Sequence, residues 1–87
     1  MIPEKFTGVV LFSAPWCGPC KTYKPALTAE AATKGLPLIL VDVDQDRALA
    51  GQQGIRAVPT TILFRDGVEV RRVSGAQTGA AMKAFMS

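Results

Sequence analysis

Apolar residues in the first half of this chain fall into short unbroken runs rather than into alternating stripes. The first run, Gly8-Val-Val-Leu-Phe-Ser13, has no polar residue on either parity, the pattern of a strand covered on both faces. It should be central in a sheet. After Ala14-Pro-Trp-Cys-Gly-Pro-Cys20, a stretch rich in Ala, Lys and Glu continues to about Lys34 and is closed by Gly35 and Pro37, a helix with its stop signal. Pro25 falls inside it, removing one backbone donor and crowding the carbonyl four residues back, so a helix kink is expected between Lys21 and Pro25. Leu38 to Val43 is a second continuous apolar run, and the helical connection before it makes the two strands parallel in a right-handed βαβ unit. Asp46 can cap a short helix from Arg47 to about Gln53, ended by Gly54. Ile55 to Val58 then leads through Pro59 into a strand over Thr60 to Arg65. Asp66-Gly67 is a hairpin signal, since both positions tolerate positive φ, and Val68 to Val73 returns antiparallel. Gly75 breaks that strand. Thr78 can cap a last helix, Gly79 to Met86, whose Met82, Phe85 and Met86 form an apolar stripe for the core. The expected fold is α/β: βαβ-α-ββα, a four-stranded mixed sheet flanked by helices, in one domain over residues 1–87.

Length sharpens that picture. At 87 residues and 9.2 kDa the chain is too short for two cores, and a domain of this size buries only about 60% of its unfolded surface. Its 48% hydrophobic and 20% charged residues are those of an ordinary globular protein rather than a disordered one. The formal charge of +3 is dispersed. Only Arg71 and Arg72 are adjacent, with no basic stripe interleaved with aromatics, which argues against nucleic-acid binding and leaves a mild preference for acidic partners. The absence of histidine removes Ser-His-Asp triads, Cys-His dyads and imidazole metal ligands together. The longest apolar runs fall far short of the roughly 20 residues of a membrane helix. Glu4 in the would-be basic region argues against a signal peptide, and a cytoplasmic location is expected. There, two nearby cysteines are more often catalytic than structural.

Those cysteines are the sharpest chemical feature. A Cys-x-x-Cys that leaves a buried strand and opens a helix puts Cys17 at the helix N-terminus, where unpaired N–H groups and the positive end of the dipole stabilise a thiolate. Cys17 is therefore the candidate nucleophile. Cys20, one turn deeper, can attack a mixed disulfide on Cys17 and so act as the resolving thiol. Pro19 suits the first helical turn and Gly18 lets a partner backbone approach. Two other readings exist. Structural zinc asks for four Cys or His ligands and the chain offers two, unless chains pair. A purely structural disulfide over so short a loop restricts the unfolded chain little. Redox exchange is the reading the spacing favours.

Trp16-Cys-Gly-Pro-Cys20 with Lys21 after it, Pro25, Val41-Asp-Val-Asp-Gln45, Gly54-Ile-Arg-Ala-Val-Pro-Thr60, Phe64-Arg-Asp-Gly67 and Gly75-Ala76 together resemble the thioredoxins, over nearly the whole chain from about Phe6. From the residues alone Pro59 would be an ordinary trans turn proline. The resemblance implies instead a cis-proline beside the disulfide, with Val58 pairing backbone to backbone with the bound partner. It further implies a shallow apolar substrate-binding surface of Trp16, Gly18, Pro19, Val58, Pro59, Gly75 and Ala76 around Cys17. Three departures from the family pattern stand out. Its buried aspartate is matched by Leu11 and the lysine facing it by Leu40, a joint change to packed leucines that avoids an unpaired buried charge but should burden proton transfer at Cys20. Ser13 stands where the family often has a tryptophan. Thioredoxins also usually begin with a further strand and helix, whereas only Met1 to Lys5 precede Phe6. The strand over Leu38 to Val43 is thus expected at the sheet edge, to be covered by the first residues or by another chain.

The function implied is a protein-disulfide reductase. Its redox-active centre cycles between dithiol and an intramolecular Cys17–Cys20 disulfide bond, with no bound cofactor and no metal. The resemblance implies an oxidoreductase of electron transport and cell redox homeostasis. Its partners are disulfide-containing proteins and a thioredoxin reductase or equivalent NADPH-dependent reductant, a flavoprotein; neither nucleic acid nor membrane is implied. A monomer is expected, with an edge-strand dimer as the alternative assembly. The rival function keeps the fold as an interaction subunit whose redox turnover is secondary. An oxidant role in an oxidising compartment is disfavoured by the Gly-Pro dipeptide between the cysteines and the absent signal.

Overall fold

The computed structural model describes residues 2–87. Its elements run β1 (Gly8–Ser13), α1 (Gly18–Thr33), β2 (Leu38–Asp42), α2 (Arg47–Gln52), β3 (Thr60–Arg65), β4 (Val68–Ser74) and α3 (Gly79–Phe85). The sheet order is β2-β1-β3-β4, so β1 and β3 form its buried centre. That is the mixed α/β arrangement expected from the apolar runs. β1 is parallel to β2, with Val9 opposite Leu38 through Ser13 opposite Asp42; β3 is antiparallel to both β1 and β4. Every residue of β1 is buried.

Strand alternation divides the core into two halves. Val9, Leu11 and Leu63 face α1 and α3, packing with Tyr23, Leu27, Ala31, Met82 and Met86. Val10, Phe12, Val41, Ile62 and Phe64 face the other way, toward Leu49 of α2. Across the first half the Tyr23 and Thr61 hydroxyls lie 2.7 Å apart and form a buried hydrogen bond that ties α1 to β3. Burial pushes the Tyr23 phenol above its ordinary pKa, and the bond to Thr61 opposes part of that rise.

Side chains cap the helices as the sequence suggests. Asp46 accepts from the Leu49 N–H at 3.1 Å and Thr78 from the Ala81 N–H at 3.1 Å. Asp66 and Gly67 turn the hairpin with φ of 53° and 81°. Pro25 lies within α1, whose helical assignment runs on through it.

Two expectations are corrected here. Residues 2–7 make no backbone hydrogen bond to the outer edge of β2, although Ile2 and Phe6 pack on the cluster that includes Val41. Instead the Gly67 N–H donates to the Phe6 carbonyl at 2.9 Å, the Asp66 N–H donates to Thr7 Oγ1 at 2.9 Å, and the Phe6 ring packs against Phe64. A Cβ at Gly67 would lie 1.9 Å from the Glu4 carbonyl, so this segment fits against the hairpin only where the turn carries glycine. Met1, part of the expected cover, lies outside the described residues. The second correction concerns Leu11 and Leu40, which are register partners but not equally packed. Leu11 is fully buried while Leu40 is 46% exposed, because β2 is an edge strand and α1 packs against β1 and α3.

Candidate active site

β1 ends at Ser13 and the chain turns through Ala14 to Trp16 before α1 begins, with the Cys17 N–H donating to the Ala14 carbonyl at 3.1 Å. This turn sets Cys17 at the N-cap of α1 in extended backbone geometry. Its sulfur accepts from the Cys20 N–H at 3.2 Å, taking the place that a serine or aspartate oxygen fills at other helix starts. A helix start leaves N–H groups unpaired and carries partial positive charge, and both favour the anionic form of a sulfur placed there. Cys17 and Cys20 are joined by a disulfide, with their Cα atoms 5.3 Å apart. Each residue is only 4% exposed, so accessibility does not distinguish them. Position on the helix does.

The two flanks of the disulfide are built differently. On one flank the sulfurs pack with Ala14, and with Val43 and Val58 at the margin. The Val58–Pro59 peptide bond is cis. Beyond it the Gly75 N–H donates to the Pro59 carbonyl at 2.7 Å, and Thr60 Oγ1 donates to the Ala57 carbonyl at 2.6 Å. Gly75 has φ of 91°, a backbone conformation that glycine adopts without strain. Trp16 projects here, 68% exposed, with its indole Nε1 donating to Asp44 Oδ2 at 2.9 Å. Behind the indole an apolar hollow of about 200 Å³ is lined by Val43, Ala50, Ile55 and Val58.

On the opposite flank Cys20 borders an open cleft of about 480 Å³ between the first turns of α1 and strand β2. Ser13, Lys21, Lys24, Leu40, Asp42 and Gln45 are among its lining residues. Asp42 Oδ1 accepts from the Asp44 N–H at 2.8 Å, folding the chain from the cleft back toward the indole latch. Among the described residues no group of three or more His, Cys, Asp or Glu side chains is arranged to hold a metal.

The structure therefore brings Trp16, Cys17, Cys20, Val58 and Pro59 to one place. Gly18, Pro19 and Ala76 are exposed and Gly75 and Val58 half-buried, whereas the Pro59 ring is fully buried. Pro59 thus shapes the expected surface from beneath instead of forming part of it. Reading the sequence singled out neither the Asp44 latch nor the cleft carrying Asp42 and Lys24. The run Val41-Asp-Val-Asp-Gln45 was the available signal, since acidic residues at the C-terminal end of a parallel strand emerge beside the helix that follows its neighbour.

Comparison with known proteins bears on this arrangement. A family model described as Thioredoxin matches residues 2–87. Over 78 residues the chain is 45% identical to the thioredoxin of Mycolicibacterium smegmatis, covering 85% of this chain and 70% of that one. The thioredoxin of Bacillus subtilis is 35% identical over 88 residues, covering 97% and 85% of the two chains. Among solved structures, a mutant thioredoxin from Halobacterium salinarum superposes with a TM-score of 0.87 at 36% identity, covering 95% of this chain and 74% of the other. Fasciola hepatica thioredoxin gives 0.85 at 34% identity, with 95% and 80% covered.

Proposed function

The chain belongs to the thioredoxin family, and from that premise we propose how its residues divide the work. It is a thiol-disulfide oxidoreductase whose redox group is its own Cys17–Cys20 pair. Disulfide-containing proteins are its substrates and thioredoxin reductase its reductant. In our reading Cys17 is the nucleophile. Its thiolate attacks one sulfur of a substrate disulfide, forming a mixed disulfide and expelling the first substrate thiolate. Cys20 then loses its proton and attacks the Cys17 sulfur, forming the intramolecular disulfide and releasing the second thiolate. Two electrons pass from the dithiol to the substrate. Trp16, Gly18, Pro19, Val58, Gly75 and Ala76 receive the partner, and the Val58 backbone offers it a short extended pairing next to the cis bond at Pro59.

One observation carries this assignment. Cys17 caps α1 and accepts from the Cys20 N–H at 3.2 Å, a position that selectively stabilises negative charge on its sulfur. Catalysed insulin-disulfide reduction by single serine variants tests it. Cys17→Ser should lose all turnover and trap nothing, while Cys20→Ser should lose turnover yet accumulate a covalent adduct with substrate. An adduct on Cys17→Ser would reverse the roles. Replacing both cysteines without loss of biological activity would favour the interaction-subunit reading.

The remaining parts of the proposal are an NADPH-dependent flavoprotein as the reductant, a cytoplasmic setting and one domain acting as a monomer. No helix among the described residues is long and apolar enough to cross a membrane. The outer backbone groups of β2 are where a second copy would pair, and sedimentation at rising concentration distinguishes the two assemblies.

A further inference from the structure

Resolution of the mixed disulfide requires the Cys20 thiol to give up a proton, because only the thiolate attacks sulfur. The route for that proton is narrow. Cys20 is 4% exposed, and its apolar neighbours Ala14, Val43 and Val58 accept nothing through their side chains. Leu11, beneath on the same sheet face as Ser13, is fully buried and apolar as well. The chain has no histidine to act as a shuttle. The described opening beside Cys20 is the cleft of about 480 Å³, whose lining contains one carboxylate, Asp42.

We infer that Asp42 is the positioning base of this thioredoxin: it withdraws the Cys20 proton through water in the cleft and thereby sets the rate of resolution. Register places it there. Asp42 is the partner of Ser13 and lies two residues beyond Leu40, so Leu40, Asp42 and Ser13 share the α1 face of the sheet, with Cys20 on the helix at the cleft wall. The charged groups around that space are Lys21 and Lys24 from α1 and Asp42 from β2; Ser13 from β1 and Gln45 from the following loop bring no charge. The two ammonium groups favour the thiolate as it forms, and the carboxylate receives the proton. The proton then passes to solvent or to the departing substrate thiolate, so charge and electrons balance without any further reagent. The cleft holds space for several waters, and the polar groups on its wall can orient them. The exposed Leu40 follows from the same arrangement, because β2 is left uncovered where the water must enter.

This inference rests on the assignment of Cys20 as the resolving thiol, and one experiment separates the two. Reduced protein mixed with dithiobis(nitrobenzoate) in a stopped-flow instrument releases nitrothiobenzoate twice, first as Cys17 attacks and again as Cys20 resolves the adduct. Asp42→Asn keeps an oxygen to accept from the Asp44 N–H and removes only the basic group. It should leave the first release unchanged and slow the second by about tenfold at neutral pH, less than the roughly hundredfold or more of a base in direct contact. The deficit should close as pH rises through the roughly 8.5 of an ordinary thiol. Added formate should accelerate the second release in Asp42→Ala, and Asp42→Glu should retain most of it. A second release within twofold of the parent at every pH, equal slowing of both releases, or no response to formate overturns the role of Asp42. A first release that survives in Cys17→Ser overturns the cysteine assignment itself and, with it, this inference.

Discussion

The two flanks of the disulfide differ in almost every physical respect. Toward Trp16, Val58 and Pro59 the surface is apolar and tied down, with a 2.7 Å bond from Gly75 to Pro59 and an indole latched to Asp44. Toward Ser13, Lys24 and Asp42 it is open and mixed, with charged groups set among Ala14, Pro15, Leu40 and Val41. A partner docking on the first flank must shed water and find backbone groups already in place, so rigidity there lowers the cost of binding. A proton leaving by the second flank needs water and a charge to meet it. One helix start serves both demands because both cysteines sit in the apolar cluster while Cys20, one turn on, also borders the cleft.

The strongest way to break this contrast is to put a carboxylate on the dry floor. Leu11→Asp buries a charge among Val9, Leu27 and Leu63 with no cationic partner in that cluster. It should cost about 3–5 kcal/mol of stability, read as a fall in the urea midpoint. If Asp42 already handles the Cys20 proton, this variant will not accelerate resolution. Stability unchanged within about 0.5 kcal/mol would show that the floor is wetter than its packing implies.

Tyr23→Phe tests the tie between α1 and the strand that follows Pro59. Removing the phenolic hydroxyl leaves the Thr61 hydroxyl without its buried partner and should cost about 1–2 kcal/mol. The pH dependence gives an independent reading. Because burial raises the Tyr23 pKa in the fold, the folded state holds its proton more tightly than the unfolded chain does. The parent should keep the full contribution of this group below the unfolded value of about 10 and lose stability as pH climbs from there through the folded value. In Tyr23→Phe that component of the alkaline fall should vanish, and urea midpoints measured across the range would reveal it.

The smallest effect belongs to the latch. Asp44→Ala frees an exposed indole and should cost no more than about 1 kcal/mol of stability. Trp16 is the single tryptophan, so its fluorescence reports the change directly. A rise of about threefold in KM for insulin at constant kcat is expected if the latch only presents the docking surface. A lowered kcat would instead connect the latch with the chemistry.

These comparisons also mark where sequence reading succeeded. β1 and β2 were legible because each is a continuous apolar run, and the hairpin because Asp66 and Gly67 both accept positive φ. Cys17 as a helix cap followed from its place between a buried strand and an Ala-rich stretch. Other features depend on how elements lie across one another. The pairing of Trp16 with Asp44 joins residues 28 apart, and nothing local announces it. Leu40 reads as core from its run, yet its exposure is decided by the sideways position of α1 over the sheet. The attachment of residues 4–7 to the β3–β4 turn was hidden because it joins positions as far as 59 residues apart.

The capping bond from the Cys20 N–H to the Cys17 sulfur makes one amide a reporter for the whole cycle. Each covalent state of that sulfur, thiolate, mixed disulfide or closed disulfide, offers the same N–H an acceptor of different electron density. The Cys20 amide proton resonance should therefore take a separate position in each state. A single peak would then show which form of the protein a sample contains, without chemical quenching or a label.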